Sequence, residues 1–114
     1  EDQYGPWNIW KFPKVDGQYV MGADVSEGKL VKANNKEGDR CIADILDHET
    51  MEQVAQYSGH PDPDTFSDEL NLAARYYNMA LVGPECNSAG FALLTELKKK
   101  YFRIYKLYSA FWLF

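Results

Sequence analysis

Tyr19-Val20-Met21-Gly22-Ala23-Asp24-Val25 is an almost wholly apolar run that carries one charge near its end. A run of this length bounded by turn signals reads as a strand buried on both faces. Upstream, residues 1–17 read as an extended lead-in or linker, with apolar Trp7, Ile9 and Trp10 punctuated by Gly5-Pro6, Pro13 and Asp16-Gly17. Downstream, residues 26–38 form a polar loop. Two more strand patterns follow, at 41–47 and 52–58, joined by His48-Glu49-Thr50 as a short hairpin connection. Residues 18–114 are thus expected to hold one domain that begins with a three-stranded antiparallel meander.

Beyond the meander the period changes. Asp62-Pro63 supplies an N-cap and a first helical residue, and Phe66, Leu70, Ala73 and Tyr77 then recur at helical spacing, expected to face the sheet. Residues 80–83 form a short buried strand that leads into Pro84-Glu85. A second helix is predicted over 88–100 with Phe91, Leu94, Leu97 and Tyr101 on one face, and a last strand over 102–108. The order β-β-β-α-β-α-β predicts an α/β fold, a mixed sheet in which the meander is followed by βαβ crossovers.

Bulk composition sets the limits. The chain has 114 residues, 46% hydrophobic and 25% charged, enough for one core and too apolar for disorder. No apolar run approaches the ~18 residues of a membrane span, so no membrane partner is expected. The start, Glu1-Asp2-Gln3, is no signal peptide, and the missing initiator Met suggests a fragment or a processed chain. Cys41 and Cys86 form no CxxC pair; they read as buried, reduced thiols, with a disulfide possible but not required. A net charge of −5 argues against broad coating of a nucleic-acid backbone. It leaves room for acids that hold metal ions. Lys98-Lys99-Lys100, Arg103 and Lys106 form the one basic cluster, either a phosphate-facing patch or a solvated helix end.

Two carboxylates stand out. Asp24 interrupts an apolar strand, where an unpaired charge is costly unless a metal, a cation or water compensates it. Glu85 sits in the same way just past the strand at 80–83. A right-handed crossover through the first helix makes the two strands parallel, so both acids are expected at one edge of the sheet. There they could hold Mg²⁺, which binds through one or two carboxylates plus phosphate; capping of local turns is the plainer alternative. Asp39 reads as a loop acid or an outer member of that site. Asp44 and Asp47 are expected to face solvent, and His48 and His60 to lie on the surface without metal-ligand spacing. Ser26 and Ser88 have no His partner, and Gly22–Gly28 lacks the Gly-Lys-Ser/Thr ending of a P-loop.

Several segments taken in order resemble a known family. Trp7-Asn8-Ile9-Trp10-Lys11-Phe12-Pro13 resembles the entry into the nuclease domain of tailed-phage terminase large subunits. Tyr19 through Gly28 looks like that family's first strand with its metal-binding aspartate. Gly38-Asp39, Asp47-His48-Glu49-Thr50 and Gln53-Val54-Ala55-Gln56-Tyr57 are similar to its hairpin, and Ala80-Leu81-Val82-Gly83-Pro84-Glu85-Cys86-Asn87 to the strand bearing its second acid. The resemblance spans residues 7–108 and implies an RNase H-like fold, incomplete here at its C-terminal end. It implies a hydrolase that cuts concatemeric viral DNA during packaging, with Mg²⁺ or Mn²⁺ as a two-ion cofactor. Asp24 matches the first metal-binding and catalytic acid and Glu85 the second; the third is expected beyond Phe114, so cutting by this piece is expected to be impaired. Pro84 departs from the family's branched apolar residue, and the ending Ser109–Phe114 from its polar continuation.

The resemblance also implies partners: double-stranded DNA, an ATPase domain of the same parent protein, the portal and the small terminase subunit, in the cytoplasm of an infected bacterial host. Two alternatives stay open. One is a catalytically silent domain that docks onto DNA or packaging proteins; the other is a different RNase H-like nuclease such as a resolvase. A sugar-kinase or actin-like lobe shares the strand-borne Asp, but Val25-Ser26-Glu27 supplies no Gly-rich phosphate turn.

Overall fold

A computed structural model of the protein describes residues 5–26, 40–84 and 88–105. In chain order the elements are β1 (Trp7–Ile9), β2 (Tyr19–Ser26), β3 (Arg40–Asp47), β4 (Gln53–Gly59), α1 (Pro63–Tyr76), β5 (Leu81–Pro84) and α2 (Ser88–Leu97). The strands form one mixed sheet in the order β1-β4-β3-β2-β5. β2, β3 and β4 are the antiparallel meander the sequence predicts. Trp7–Ile9, within the lead-in, adds an antiparallel edge strand to β4. β5 joins β2 in parallel, pairing Val20 with Leu81 and Ala23 with Pro84. Of the last strand expected at 102–108, one parallel bridge is present, Val82 to Ile104; residues 106–108 lie outside the described residues, as do the loop at 27–38, Cys86 and residues 109–114.

The expectation that the Tyr19 strand is buried on both faces is overturned. Tyr19, Met21, Ala23 and Val25 are buried, but Gly22, Asp24 and Ser26 are exposed and Val20 is half-buried. Handedness explains the difference. α1 carries the chain from β4 to β5, and the chain runs on through α2 to Ile104 on the far side of β5. Both crossovers advance the same way across the sheet, and right-handed crossovers of one direction put their helices on one face. The helices pack on each other there. The opposite face stays open among the described residues. The run reads as continuously apolar because Gly22 counts as apolar while adding no side chain.

Under the helices lies the core. α1 starts where Asp62 Oδ1 accepts the Thr65 amide at 2.7 Å, with Pro63 in the first turn. Phe66, Leu70, Ala74 and Tyr77 are buried from that helix, and Leu93, Leu97 and Tyr101 from α2 and its end. Two details differ from the expected stripes. Ala74, not Ala73, is fully buried, and Phe91 is 50% exposed. Gly90, Leu93, Leu94 and Leu97 set the inward stripe, and Phe91 sits ~100° around the helix from Gly90. Rings lock helix to sheet where Tyr57 meets Phe66 at 5.1 Å and Tyr19 meets Tyr77 at 5.1 Å, and within the sheet Trp7 of β1 meets Tyr57 of β4 at 5.3 Å. A register shift at Ile45/Leu46 places Val54 as an extra residue in β4, so Val54 and Ala55 are both buried despite the two-residue period of a strand.

Candidate functional site

Asp24 lies on the open face of β2, opposite Ile42 of β3. Its carboxylate has no hydrogen-bond or ion-pair partner among the described residues. On the other side of β2, β5 ends at Pro84, paired with Ala23; Glu85 is the next residue in the chain and lies outside the described residues, as does Asp39. The parallel pairing of β2 with β5, on which the convergence of Asp24 and Glu85 depends, is present. Asp44 shares the open face, one strand over and diagonal to Asp24, since it pairs with Gly22. Its Oδ1 accepts the side-chain amides of Gln53 at 2.7 Å and Gln56 at 2.8 Å, which hold it in place. Among the described residues no group of three or more His, Cys, Asp or Glu side chains is close enough to hold a metal.

Asp47 departs from the sequence reading. It is buried, not solvent-facing: its Oδ1 accepts the Glu49 amide at 2.9 Å and its Oδ2 meets Lys14 Nζ at 3.1 Å. Lys14 first, and then the Glu49 amide, hold its carboxyl below the usual carboxylate range, while Asp47 raises Lys14. The pair closes the turn after β3 and leaves no ligand to offer. His48 and His60 are both exposed, as expected.

The basic cluster is divided by the fold. Lys100 points back to α1, with Nζ 2.7 Å from Asp64 and 2.8 Å from Asp68, and those two carboxylates raise its pKa. Lys99 lies 3.6 Å from Glu96. Arg103 goes elsewhere. Val82 donates its amide to the Arg103 carbonyl at 2.9 Å and accepts the Tyr105 amide at 2.7 Å, so Ile104 turns to the core beside Val82. Alternation then sends Arg103 and Tyr105 to the open face, next to Leu81 and Gly83. Lys106 lies outside the described residues.

Sequence reading missed two parts of this face. Gly22 and Gly83 are register partners, forming a side-chain-free step beside Asp24. At the opposite end of β2 and β5 a cleft of about 350 Å³ is lined by Gln18, Val20, His48, Asn78, Leu81 and Arg103, among others. The alternation Arg103-Ile104-Tyr105 was a usable signal for the placement of Arg103. The glycine pair had none, because register is a property of the folded sheet.

Among the described residues Asp24 is an exposed carboxylate without a side-chain partner, and hard divalent cations take such oxygen ligands. A scan of the sequence against models of protein families finds no match, and a search of curated protein sequences finds none either. Solved structures do match. The large terminase nuclease from thermophilic phage G20c with bound magnesium superposes with a TM-score of 0.77 at 17% identity, over 95% of this chain and 53% of that one. The same nuclease with bound zinc gives 0.74 at 16% identity, over 95% and 58%, and a further structure of it gives 0.72 at 18%, over 93% and 52%. The chain spans about half the length of these nuclease chains. Its five-stranded mixed sheet with two helices is the RNase H-like fold of a phage large terminase nuclease.

Proposed function

We propose that this chain is a divalent-metal-dependent endodeoxyribonuclease module of a phage packaging terminase. One observation carries the reading: an exposed Asp24, with no side-chain partner among the described residues, stands on the open face of β2 in a fold shared with nucleases solved with magnesium, cobalt and zinc bound. Asp24 and Glu85 are the residues that would hold Mg²⁺ or Mn²⁺, with Asp39 a further candidate. When bound, such ions stabilise the attacking and leaving oxygens of a displacement at phosphorus. The chain's own part is to position the first carboxylate: β3 pairs with β2 through Asp24, and β5 pairs with it up to the preceding residue, Ala23. The substrate is concatemeric viral double-stranded DNA, and the partners are the ATPase domain of the parent protein, the portal and the small terminase subunit. The reading places the work in the cytoplasm of an infected bacterium. No helix among the described residues is long and apolar enough to cross a membrane.

Metal binding is the direct test. Manganese or magnesium should raise the melting temperature, since a ligand bound only by the folded form stabilises it by mass action. Asp24→Asn should abolish that rise while leaving the metal-free melting point nearly unchanged, because the exposed side chain makes no contact among the described residues that folding depends on. A metal-induced rise that survives intact in Asp24→Asn would remove Asp24 from the site.

A further inference from the structure

The open face has a floor as well as an acid. Gly22 and Gly83 face each other across β2 and β5, and a side-chain carbon built on Gly22 meets nothing within 4 Å. Glycine costs a strand stability and often marks a place where a ligand approaches the backbone closely. Above this step stands Asp24. Below it, the register pair Val20–Leu81 opens into the cleft. Tyr105, 55% exposed, flanks Gly83 from the outer edge.

The cleft places a cation at the end of the step away from Asp24. The Arg103 guanidinium makes no hydrogen bond or ion pair among the described residues, and neither does the His48 ring; the His48 amide is fixed by the Gln18 carbonyl at 2.8 Å. Nearby, Lys14 and Asp47 cancel each other. A guanidinium is always charged and its planar fork matches phosphate oxygens. Val20 and Asp24 are four residues apart on β2, roughly 13 Å at about 3.3 Å per residue. That is the axial length of about four base-pair steps of duplex.

We propose that the Gly22–Gly83 step is a trough for one strand of duplex DNA, and that Arg103 in the cleft holds a phosphate of that strand at the end away from Asp24. The trough rests on the nuclease reading for its choice of ligand. Strand direction aligns the three parts: acid, bare backbone and cation follow one another along β2 and β5. Lys98, Lys99 and Lys100, on the α2 side of the molecule, take no part.

The test is binding, read without cutting. Fluorescence anisotropy of a labelled duplex oligonucleotide is measured with the 114-residue chain in calcium, beside melting of each variant. Gly22→Val fills the trough and suits a strand, so it should melt no lower than the parent yet bind at least about tenfold more weakly. Arg103→Gln should weaken binding by about tenfold and lower the salt dependence by about one released ion. Lys98→Gln removes an equal charge on the helix side and should change affinity less than about twofold. Gly22→Val binding like the parent overturns the trough, even if Asp24-dependent cutting is seen in magnesium. Lys98→Gln doing as much harm as Arg103→Gln overturns it too, as does a parent chain that binds no duplex. The expected binding pattern without any metal-induced rise in melting temperature leaves the trough standing and removes the nuclease reading.

Discussion

On the face of the sheet beneath α1 and α2, the side chains of Tyr19, Met21, Ala23 and Val25 are all buried, and rings from β4 and α1 meet at about 5 Å. On the other face the same strand shows Gly22, Asp24 and Ser26 to solvent. One backbone serves both. The covered face is where the fold gets its stability, through close packing that tolerates little change in volume. The open face holds half-buried Val20, Ile42, Leu46 and Leu81 beside a bare glycine step and an acid with no side-chain partner among the described residues. Groups kept at little benefit to folding are the ones free to bind.

The largest effect we expect comes from deleting a ring under the helices. Phe66 is fully buried and packs on Tyr57, so Phe66→Ala should cost about 3–5 kcal/mol in denaturant unfolding. Val20→Ala on the open face should cost only about 1 kcal/mol, because a half-buried side chain has less to lose. Equal costs would mean that the open face is covered in solution and the two-face contrast is false.

How much of this the sequence disclosed depends on the range of the signal. Helix α1 was legible because its determinants are local: Asp62 and Pro63 at the start, and Phe66, Leu70 and Tyr77 at helical spacing. The meander was legible from turn residues at 48–50, and the parallel neighbour of β2 from the crossover rule. Asp24 stood out as a charge in an apolar run. What was not legible is set by tertiary register. The one-sided burial of β2 depends on both crossovers moving the same way, and the pairing of Gly22 with Gly83 depends on the offset of β5. Asp47 reads as solvent-facing in the sequence because Lys14, its partner, lies 33 residues away in the chain (47 less 14). The edge strand Trp7–Ile9 is too short to show a period. The second candidate acid, Glu85, and the loop acid Asp39 lie outside the described residues, so the site's membership rests on chain order and on the position of Asp24.

A smaller effect distinguishes the covered face by pH. Burial pushes the Tyr77 hydroxyl up to about 12, and that hydroxyl donates to the Lys11 carbonyl at 2.8 Å. An unfolded tyrosine ionises near its ordinary value of 10.0. Because the folded value is raised, the contribution is complete below pH 10 and is lost as pH rises toward 12. Unfolding followed across that range should show stability falling, and Tyr77→Phe should flatten part of the fall. At neutral pH the same variant should cost about 1 kcal/mol for the lost hydrogen bond. A Tyr77→Phe protein whose stability falls with the parent's slope would mean that Tyr77 ionises freely, and that the covered face is wetter than its packing implies.

The smallest effect compares one substitution on the two faces. At Gly22 an added side-chain carbon meets nothing, and at Gly59 it meets the Tyr57 ring and hydroxyl from 3.1 Å. Neither glycine has the positive φ that resists a side chain. Replacing glycine by alanine restricts the unfolded chain and stabilises by ~0.4–1 kcal/mol where the folded backbone accepts it. Gly22→Ala should show that gain in full. Gly59→Ala should forfeit it, because Tyr57 is itself pinned between Trp7 and Phe66 and has little room to give. The pair therefore reads the packing on each side of one sheet from a change of a single methyl group. A gain at Gly59 equal to that at Gly22 would mean that the aromatic layer yields easily. A loss at Gly22 would mean that something already occupies the space above it, and the trough would then belong to the protein and not to a ligand.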